Sequence, residues 1–199
     1  MARIKRDQLK QLVEAAIFVA QAPVSRANLF DTVLDGLTVS EKQLDAVLSE
    51  LQQDYSERGV VLVEVASGFR FQSLDSLSPW LSKMWQDHAP RYSRALLETL
   101  ALIAYRQPIT RGEIEDVRGV SVSSNIIRTL TEREWIKVVG HKEVPGRPAL
   151  YATTKAFLDY FNLKSLSELP DIESFSALAE QESHSSEQSS TKISNEQIH

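Results

Sequence analysis

The sequence predicts a mainly α-helical protein with small β wings, an α+β fold made of tandem winged-helix domains and a disordered C-terminal tail. The order helix, helix, helix, hairpin occurs twice, and from the first helix into the second the two copies align without gaps at an offset of 85 residues. Each copy has about 80 residues, close to the lower limit for a single stable core. After Leu169-Pro170 the chain becomes rich in Ser, Glu and Gln, and it loses all hydrophobic periodicity. A segment of this kind buries too little apolar surface to fold, so residues 171–199 are predicted to be disordered.

The first copy begins with a predicted amphipathic helix over residues 7–21, which Pro23 ends. Ser25 is expected to cap a short second helix. A third helix is predicted to start at Ser40, where Gln43 completes a capping-box pattern. The apolar stripe of the first helix, at helical spacing, is Leu9, Leu12, Val13, Ala16, Ile17 and Ala20.

The period then changes from helical to alternating. Residues 60–65 and 69–72 are short β-prone runs, and the turn between them offers Gly68 for a positive φ angle. Three helices followed by a hairpin is the order of a winged helix. We therefore assign residues 7–75 to a first domain and residues 76–91 to a linker.

The second copy repeats this order. Ser93 is predicted to cap its first helix, and Thr110 and Glu113 form a second capping-box pair before a helix that Gly119 ends. The remaining elements of this domain, assigned to residues 92–164, are a helix over 121–134, strands over 136–139 and 149–153, and a last helix over 155–163.

The repeat is visible residue by residue around the prolines. Pro23 aligns with Pro108 at the offset of 85. The aligned pairs that follow are Val24 with Ile109, Ser25 with Thr110, Arg26 with Arg111, and Leu29 with Ile114. A helix, a proline, an apolar residue, a hydroxyl residue and an arginine in that order are hard to match by chance.

The composition argues against several kinds of chemistry. The 199 residues include no cysteine, which excludes disulfides, thiolate zinc sites and cysteine nucleophiles. No Gly-rich phosphate loop and no G-x-S-x-G motif occurs, and the four histidines are scattered. We therefore predict no enzymatic activity, no catalytic residues, no cofactor and no metal site.

Two further features concern compartment. The basic start of the chain is not followed by an apolar signal segment, so we expect no secretory signal. The longest apolar run, residues 100–105, is far shorter than the roughly 20 residues that a membrane span needs. These features favour a cytoplasmic protein with no membrane partner.

Winged helices often bind DNA through their third helix, so the charge of the third helix in each copy indicates whether it can bind DNA. In the second copy, Arg128 and Arg133 are balanced by Glu132 and Glu134. In the first copy, residues 40–57 hold five acidic residues against one lysine. Phosphate neutralisation supplies most non-specific affinity for DNA, so direct DNA binding is predicted to be weak or absent. A winged-helix DNA-binding transcription regulator is the alternative.

Protein binding fits the apolar pattern better. Phe18 and Val19 in one copy, and Leu102 and Tyr105 in the other, exceed what a three-helix core requires. Surplus apolar surface usually marks an interface. We predict that Phe18 and Val19 form a homodimer interface; the alternative is that the wing or the linker covers them. The linker residues Trp80, Met84 and Trp85 are open to the same two interpretations.

The second copy also carries specific motifs. They are Glu98-Thr99-Leu100-Ala101, the run from Tyr105-Arg106-Gln107-Pro108 through Ile109-Thr110-Arg111, Arg118-Gly119-Val120, and Val144-Pro145-Gly146-Arg147-Pro148 followed by Leu150-Tyr151. This part of the chain closely resembles the segregation and condensation protein B family. The first copy is a looser match, through Glu14-Ala15, Val63-Glu64-Val65 and Gly68-Phe69-Arg70. The resemblance covers about residues 7–170 and departs from the family at Asn125 and Ile126.

The resemblance implies a function. Members of this family have tandem winged-helix domains and dimerise mainly through the N-terminal one. They bind a kleisin, the segregation and condensation protein A, which bridges the ATPase heads of a structural-maintenance-of-chromosomes (SMC) dimer. The chain is thus expected to be a non-enzymatic adaptor of a condensin-like complex, cytoplasmic and nucleoid-associated, that acts in chromosome condensation and segregation.

The resemblance also suggests where the partners bind. The second domain is expected to hold the kleisin and the first to form the homodimer. Polar motif residues with no evident core role are the candidate contacts: Arg106, Arg111, Arg128, Arg147 and Tyr151. Each of them could equally stabilise a turn.

Overall fold

A computed structural model describes residues 2–84 and 92–171. Its described residues are helical with small antiparallel sheets, which confirms the predicted α+β class of tandem winged helices. Met1–Leu166 form one compact unit that contains both winged helices. Of the second unit, Ser167–His199, the structure describes only residues 167–171.

Two predictions fall on parts that are not described. The disordered tail predicted over residues 171–199 lies outside the described residues, apart from Asp171. Residues 85–91 of the linker, Trp85 included, also lie outside them. The predicted boundary between the two winged-helix domains stays a prediction.

The first winged helix has three helices and a hairpin. Its elements are α1 (Arg6–Val19), α2 (Arg26–Asp31), α3 (Glu41–Asp54), β1 (Val60–Val65) and β2 (Gly68–Ser73). The two strands pair antiparallel, and Val24 adds an isolated antiparallel bridge to Phe69. The core lies between α1, α3 and the hairpin, where Val13, Leu44 and Phe69 are almost fully buried.

Local signals set the helix starts in this domain. The Ser25 hydroxyl accepts a hydrogen bond from the Asn28 N–H, and Ser40 and Gln43 form the predicted reciprocal capping box. Helix ends in this domain were predicted too far along the chain, and α3 ends at Asp54 and not at residue 57. Helix α1 ends at Val19 and not at residue 21, because Ala20 turns to an extended conformation and leads the chain to the bridge at Val24.

The second winged helix follows a short helix, α4 (Ser78–Leu81). Its elements are α5 (Arg94–Arg106), β3 (Ile109–Thr110), α6 (Arg111–Arg118), α7 (Ser124–Glu132), β4 (Ile136–His141), β5 (Ala149–Thr153) and α8 (Lys155–Tyr160). The predicted capping box of Thr110 and Glu113 is present, and Gly119 ends α6 in the left-handed conformation.

Strand β3 is the element that the sequence analysis missed. It has two residues and pairs with β5, which gives a three-stranded sheet in the order β3-β5-β4. At the same position of the first copy, 85 residues earlier, Val24 makes its bridge to Phe69. The predicted repeat therefore extends to the pairing of this short segment with the returning strand of the wing.

The last helix, α8, is shorter than predicted. It ends at Tyr160 and not at residue 163, because Asn162 adopts a left-handed backbone with a φ of 57°. The core of the second winged helix is built from Leu100, Ile103, Ile114 and Leu130, none of them more than 3% exposed. Thr99 and Thr110 are also buried, and Thr99 Oγ1 donates to the Ala95 carbonyl and accepts from Arg118 Nη1.

Candidate protein-binding surfaces

The end of α1 presents two large apolar side chains to solvent. Leu9, Val13 and Ile17 recur every fourth residue and face the core. The next two residues, Phe18 and Val19, are 69% and 75% exposed. Among the described aromatic side chains, Phe71 alone contacts the Phe18 ring, in an edge-to-face arrangement with the ring centroids 6.0 Å apart. We call Phe18 and Val19 the α1 tip. It is the surplus apolar surface that the sequence suggested.

The surplus apolar residues that the sequence suggested in the second copy behave differently. Leu102 and Tyr105 on α5 are half-buried, so they offer less apolar surface than the sequence suggested. In the linker, Trp80 and Met84 are both more than 60% exposed. These two residues lie on a short helix and a 3-10 turn, and they form a second apolar region at the surface.

The five polar candidates of the second winged helix lie on different elements. Arg106 is exposed at the end of α5 and lines a shallow cavity with Glu113 and Asp116 of α6. Tyr151 is half-buried in β5, between its cross-strand neighbours Ile109 and Val138. The structure therefore places these two candidates on different elements, α5 and β5.

Arg111 has a structural role at the start of α6. Its Nε donates to Glu115 Oε1 at 3.0 Å, and its Nη1 donates to Ser124 Oγ at 3.1 Å. The same Glu115 oxygen accepts the Val122 N–H at 2.8 Å. The bond from Val122 and the one from Arg111 together hold the pKa of Glu115 below its usual value. This network fixes the turn that joins α6 to α7.

The aligned arginine of the first copy makes an equivalent link. Arg26 begins α2, donates from Nε to Asp45 of α3 at 2.7 Å, and donates from Nη1 to Glu64 of β1 at 2.6 Å. In both copies, this arginine thus ties the second helix to the third. The described contacts of Arg111 therefore favour the alternative that this residue stabilises a turn.

The remaining two arginines are more exposed. The Arg128 guanidinium donates to Asn125 Oδ1 at 2.7 Å and lies 3.7 Å from Glu132 on the same helix. Arg147 has a left-handed backbone with a φ of 38°, and its N–H donates to the Val144 carbonyl. The Arg147 backbone orders the turn of the wing while its side chain, 72% exposed, extends to solvent.

The third helix of each copy has its charges matched within the domain. On α3, Glu50 pairs with Arg6 and Lys10 of α1, at 3.0 and 2.6 Å. The hydrogen bond from Lys10, and next the one from Arg6, lowers the pKa of Glu50. On α7, Arg128 is balanced by Glu132. Neither helix presents an excess of positive charge of the kind that attracts phosphate.

An aromatic cluster in the second winged helix was not predicted. Trp135 is 3% exposed and packs against Tyr92, Tyr160 and Phe161, with ring centroids 5.2, 4.5 and 5.6 Å away. The Arg133 guanidinium lies over both Tyr92 and Trp135. These residues come from distant parts of the sequence, so only the fold brings them together. Tyr160 and Phe161 remain 50% and 39% exposed, which makes this cluster a further apolar surface.

Two other kinds of site are absent from residues 2–84 and 92–171. No group of three His, Asp or Glu side chains in these ranges lies close enough to hold a metal ion. No helix within the same ranges has the length and hydrophobicity to cross a membrane.

The similarity to known proteins extends over both winged helices. A family model described as "Segregation and condensation complex subunit ScpB" matches residues 11–172. The chain belongs to this family. The segregation and condensation protein B homolog of Coxiella burnetii is 58% identical over 164 residues, which are 82% of this chain and 78% of that protein. The description of this family is that of a subunit of a complex.

Two solved structures of the ScpB family are similar in sequence. ScpB from Mycobacterium tuberculosis is 32% identical, covers 81% of this chain and 99% of its own, and has a TM-score of 0.38. A dimer of the ScpB N-terminal domain complexed with an ScpA peptide is 33% identical, covers 40% of this chain and 96% of its own, and has a TM-score of 0.35.

Proposed function

We propose that this chain is a non-enzymatic adaptor that binds a kleisin, the segregation and condensation protein A, and through it joins an SMC ATPase in a complex for chromosome condensation and segregation. The observation that carries the proposal is the ScpB family match over residues 11–172, which spans both winged helices. We further propose that the protein works at the nucleoid in the cytoplasm.

The surfaces of the described residues support a protein partner more than a nucleic acid. The α1 tip exposes Phe18 and Val19, and the aromatic cluster exposes Tyr160 and Phe161. Apolar surface of this kind is typical of protein interfaces. The charges of α3 and α7, by contrast, are largely paired within the domain.

We assign the kleisin to the second winged helix and the homodimer to the first. Among the five candidate residues, Arg128, Arg147 and Arg106 have exposed side chains that a partner can reach. Arg111 and Tyr151 would contribute by shaping the domain, since Arg111 fixes the α6–α7 turn and Tyr151 lies within the sheet.

Co-purification with the cognate kleisin tests the proposal. The wild-type chain should form a complex at micromolar concentration, and the combined variant Arg106→Ala, Arg128→Ala should retain less kleisin. Arg94→Ala is the control, because Arg94 is 93% exposed on α5 and pairs only with Glu98 among the contacts of the described residues. Absence of a wild-type complex would overturn the function, whereas equal retention by all variants would overturn only the assignment to these residues.

A gel-shift measurement at physiological salt tests the alternative function. A DNA-binding regulator binds its operator with a Kd of about 10⁻⁸ to 10⁻¹¹ M. We expect no binding of that strength by the chain alone. Tight, sequence-selective binding without a partner would favour the regulator over the adaptor.

A further inference from the structure

The hairpin of the first winged helix contacts the end of α8 in the second. The Ala66 N–H donates to the Leu163 carbonyl at 3.0 Å. The Ser67 N–H, next in the hairpin turn, donates to Asp159 Oδ1 at 2.9 Å across 92 residues of sequence. Both donors at the tip of the wing are therefore satisfied by the other winged helix.

Arg70 on β2 makes the next contact along the hairpin. One of its terminal nitrogens, Nη2, donates to the Asp159 carbonyl at 2.9 Å and to Asn162 Oδ1 at 2.5 Å. Asn162 is the left-handed residue that follows α8, a conformation that Asn tolerates better than most residues. A single guanidinium thus binds two successive parts of the turn that ends α8.

An ion pair extends the same surface. Lys164 Nζ lies 3.1 Å from Glu64 Oε2 of β1, and the other Glu64 oxygen accepts from Arg26. Burial acts to raise the pKa of Glu64, but the hydrogen bonds from Arg26 and Lys164 outweigh it and keep the pKa below its usual value. The Glu64 carboxylate is therefore charged near neutral pH and can hold Lys164.

We propose that these contacts form an intrachain latch that sets the angle between the two winged helices and can open without unfolding either of them. The latch consists of Glu64, Ala66, Ser67 and Arg70 on one side and Asp159, Asn162, Leu163 and Lys164 on the other.

The polar character of the latch explains why it can open. None of its residues belongs to the core cluster of the first winged helix, so that core does not depend on it. Interfaces between domains permit relative motion unless they are large and apolar, and this one consists of hydrogen bonds and an ion pair. Arg70 Nε is also buried without a hydrogen-bond partner in the described structure, which makes the closed state less favourable than a fully satisfied one.

The latch has a consequence for partner binding. While it is closed, the backbone donors of the wing tip and Nη2 of Arg70 are occupied within the chain. The α1 tip and the surfaces of the second winged helix are then held at one fixed angle. Opening would release the wing tip and let the two binding surfaces change their separation.

A distance measurement between spin labels tests the latch. The chain has no native cysteine, so Ser49→Cys on α3 and Thr131→Cys on α7 give one exposed label on each winged helix. Dilution with an excess of unlabelled chain removes distances between two copies. The wild-type background should give one narrow distance distribution, and Arg70→Ala with Asp159→Ala should broaden it. A wild-type distribution that is already broad, or a variant distribution that stays narrow, would overturn the proposal.

Hydrogen exchange supplies the second readout and the control for folding. In the latch variant, the Ala66 and Ser67 amides should exchange several-fold faster, while the amides of α3 and α5 keep their protection. The control pair Arg94→Ala with Asp116→Ala, on exposed positions away from the latch, should change neither measurement. If the double variant fails to fold, Arg70→Met carries the test, because its side chain is apolar and has no hydrogen-bond donor for the α8 turn. Wild-type distances and unchanged exchange in that variant would overturn the latch.

Discussion

Gly68 begins β2 in a conformation and at a distance that exclude a side chain. Its φ is 138°, outside the range that L-residues adopt readily. A Cβ atom built there would lie 2.3 Å from the Val24 carbonyl oxygen, which is backbone and cannot move aside. The close approach exists because Val24 and Phe69 exchange two backbone hydrogen bonds directly beside it. The sequence indicated a positive φ at this glycine, but the approach of Val24 is visible only in the fold.

Replacing Gly68 with alanine should therefore destabilise the protein. Backbone strain together with the clash should cost about 2 kcal/mol, within the range for residues forced into disfavoured conformations. Urea unfolding followed by circular dichroism measures the change. Gly112→Ala is the matched control, since Gly112 lies in the first turn of α6 with open space around it, and it should lose no stability. Equal stability of Gly68→Ala and wild type would contradict the assigned backbone geometry.

At the scale of single elements, the capping box at the start of α6 gains an additional hydrogen bond from a residue that is distant in sequence. The Glu113 carboxylate accepts hydrogen bonds from the Thr110 N–H and hydroxyl, as the capping-box pattern predicted. It also accepts a hydrogen bond from Lys142 at 2.6 Å. Lys142 directly follows β4 and lies 29 positions after Glu113 in the sequence. The bond from Lys142 and then those from Thr110 lower the pKa of Glu113 from 4.5 to about 2.

This lowered pKa predicts a dependence of stability on pH. Because the folded-state pKa lies below the unfolded value, the ionised Glu113 stabilises the fold above pH 4.5, and this contribution is lost as the pH falls towards about 2. Glu113→Gln keeps a capping side chain but loses the charge. Thermal unfolding should show wild type more stable than the variant near neutral pH, with the difference shrinking towards about pH 2.

The partner variant Lys142→Met serves as the control for this interpretation. It should remove the largest cause of the lowered pKa and therefore weaken the pH dependence, while the bonds from Thr110 preserve part of it. The same gap in melting temperature between wild type and Glu113→Gln at both ends of the pH range would contradict the assignment.

At the scale of the whole molecule, the exposed apolar residues form the surface through which we predict that the chain associates. Helix α1 fills its core positions with Leu9, Val13 and Ile17, which leaves Phe18 and Val19 in water. Exposed side chains of this size are unfavourable in an isolated chain unless a partner covers them. The homodimer interface that the sequence suggested therefore stays a prediction, with a defined surface to test.

The variant Phe18→Glu with Val19→Glu should weaken dimerisation. Wild type should sediment at about twice the 22.4 kDa chain mass, and the variant should shift towards the monomer because two carboxylates would enter the interface. Sedimentation velocity at tens of micromolar measures both. Val139→Glu is the control, because Val139 is 48% exposed on β4 of the other winged helix, and it should leave the mass unchanged. A wild-type monomer would remove the α1 tip from consideration as a dimer interface.

The candidate contacts for the kleisin could be chosen from the sequence only as motif residues. The sequence does not show whether a polar side chain forms hydrogen bonds within its own domain or is available to a partner protein. The groups that it could bond to lie on other elements. The fold shows that Arg111 bonds to Ser124, whereas Arg128 and Arg147 make contacts on their own helix or turn and stay exposed. The aromatic cluster around Trp135 was missed for the same reason, since Tyr92 lies 43 positions before it.

Patterns in the sequence predicted the order of the helices and of the wing strands, both capping boxes, the repeat and the family. These features depend on residues a few positions apart, or on motifs that are contiguous in the chain, so their physical causes are local. The tertiary structure decided the pairing of β3 with β5, the use of Arg26 and Arg111 as ties between helices, and the contact of the first wing with the end of α8. Each of these contacts joins residues 13 to 92 positions apart, and no local pattern specifies which distant groups the folded chain brings within hydrogen-bond reach.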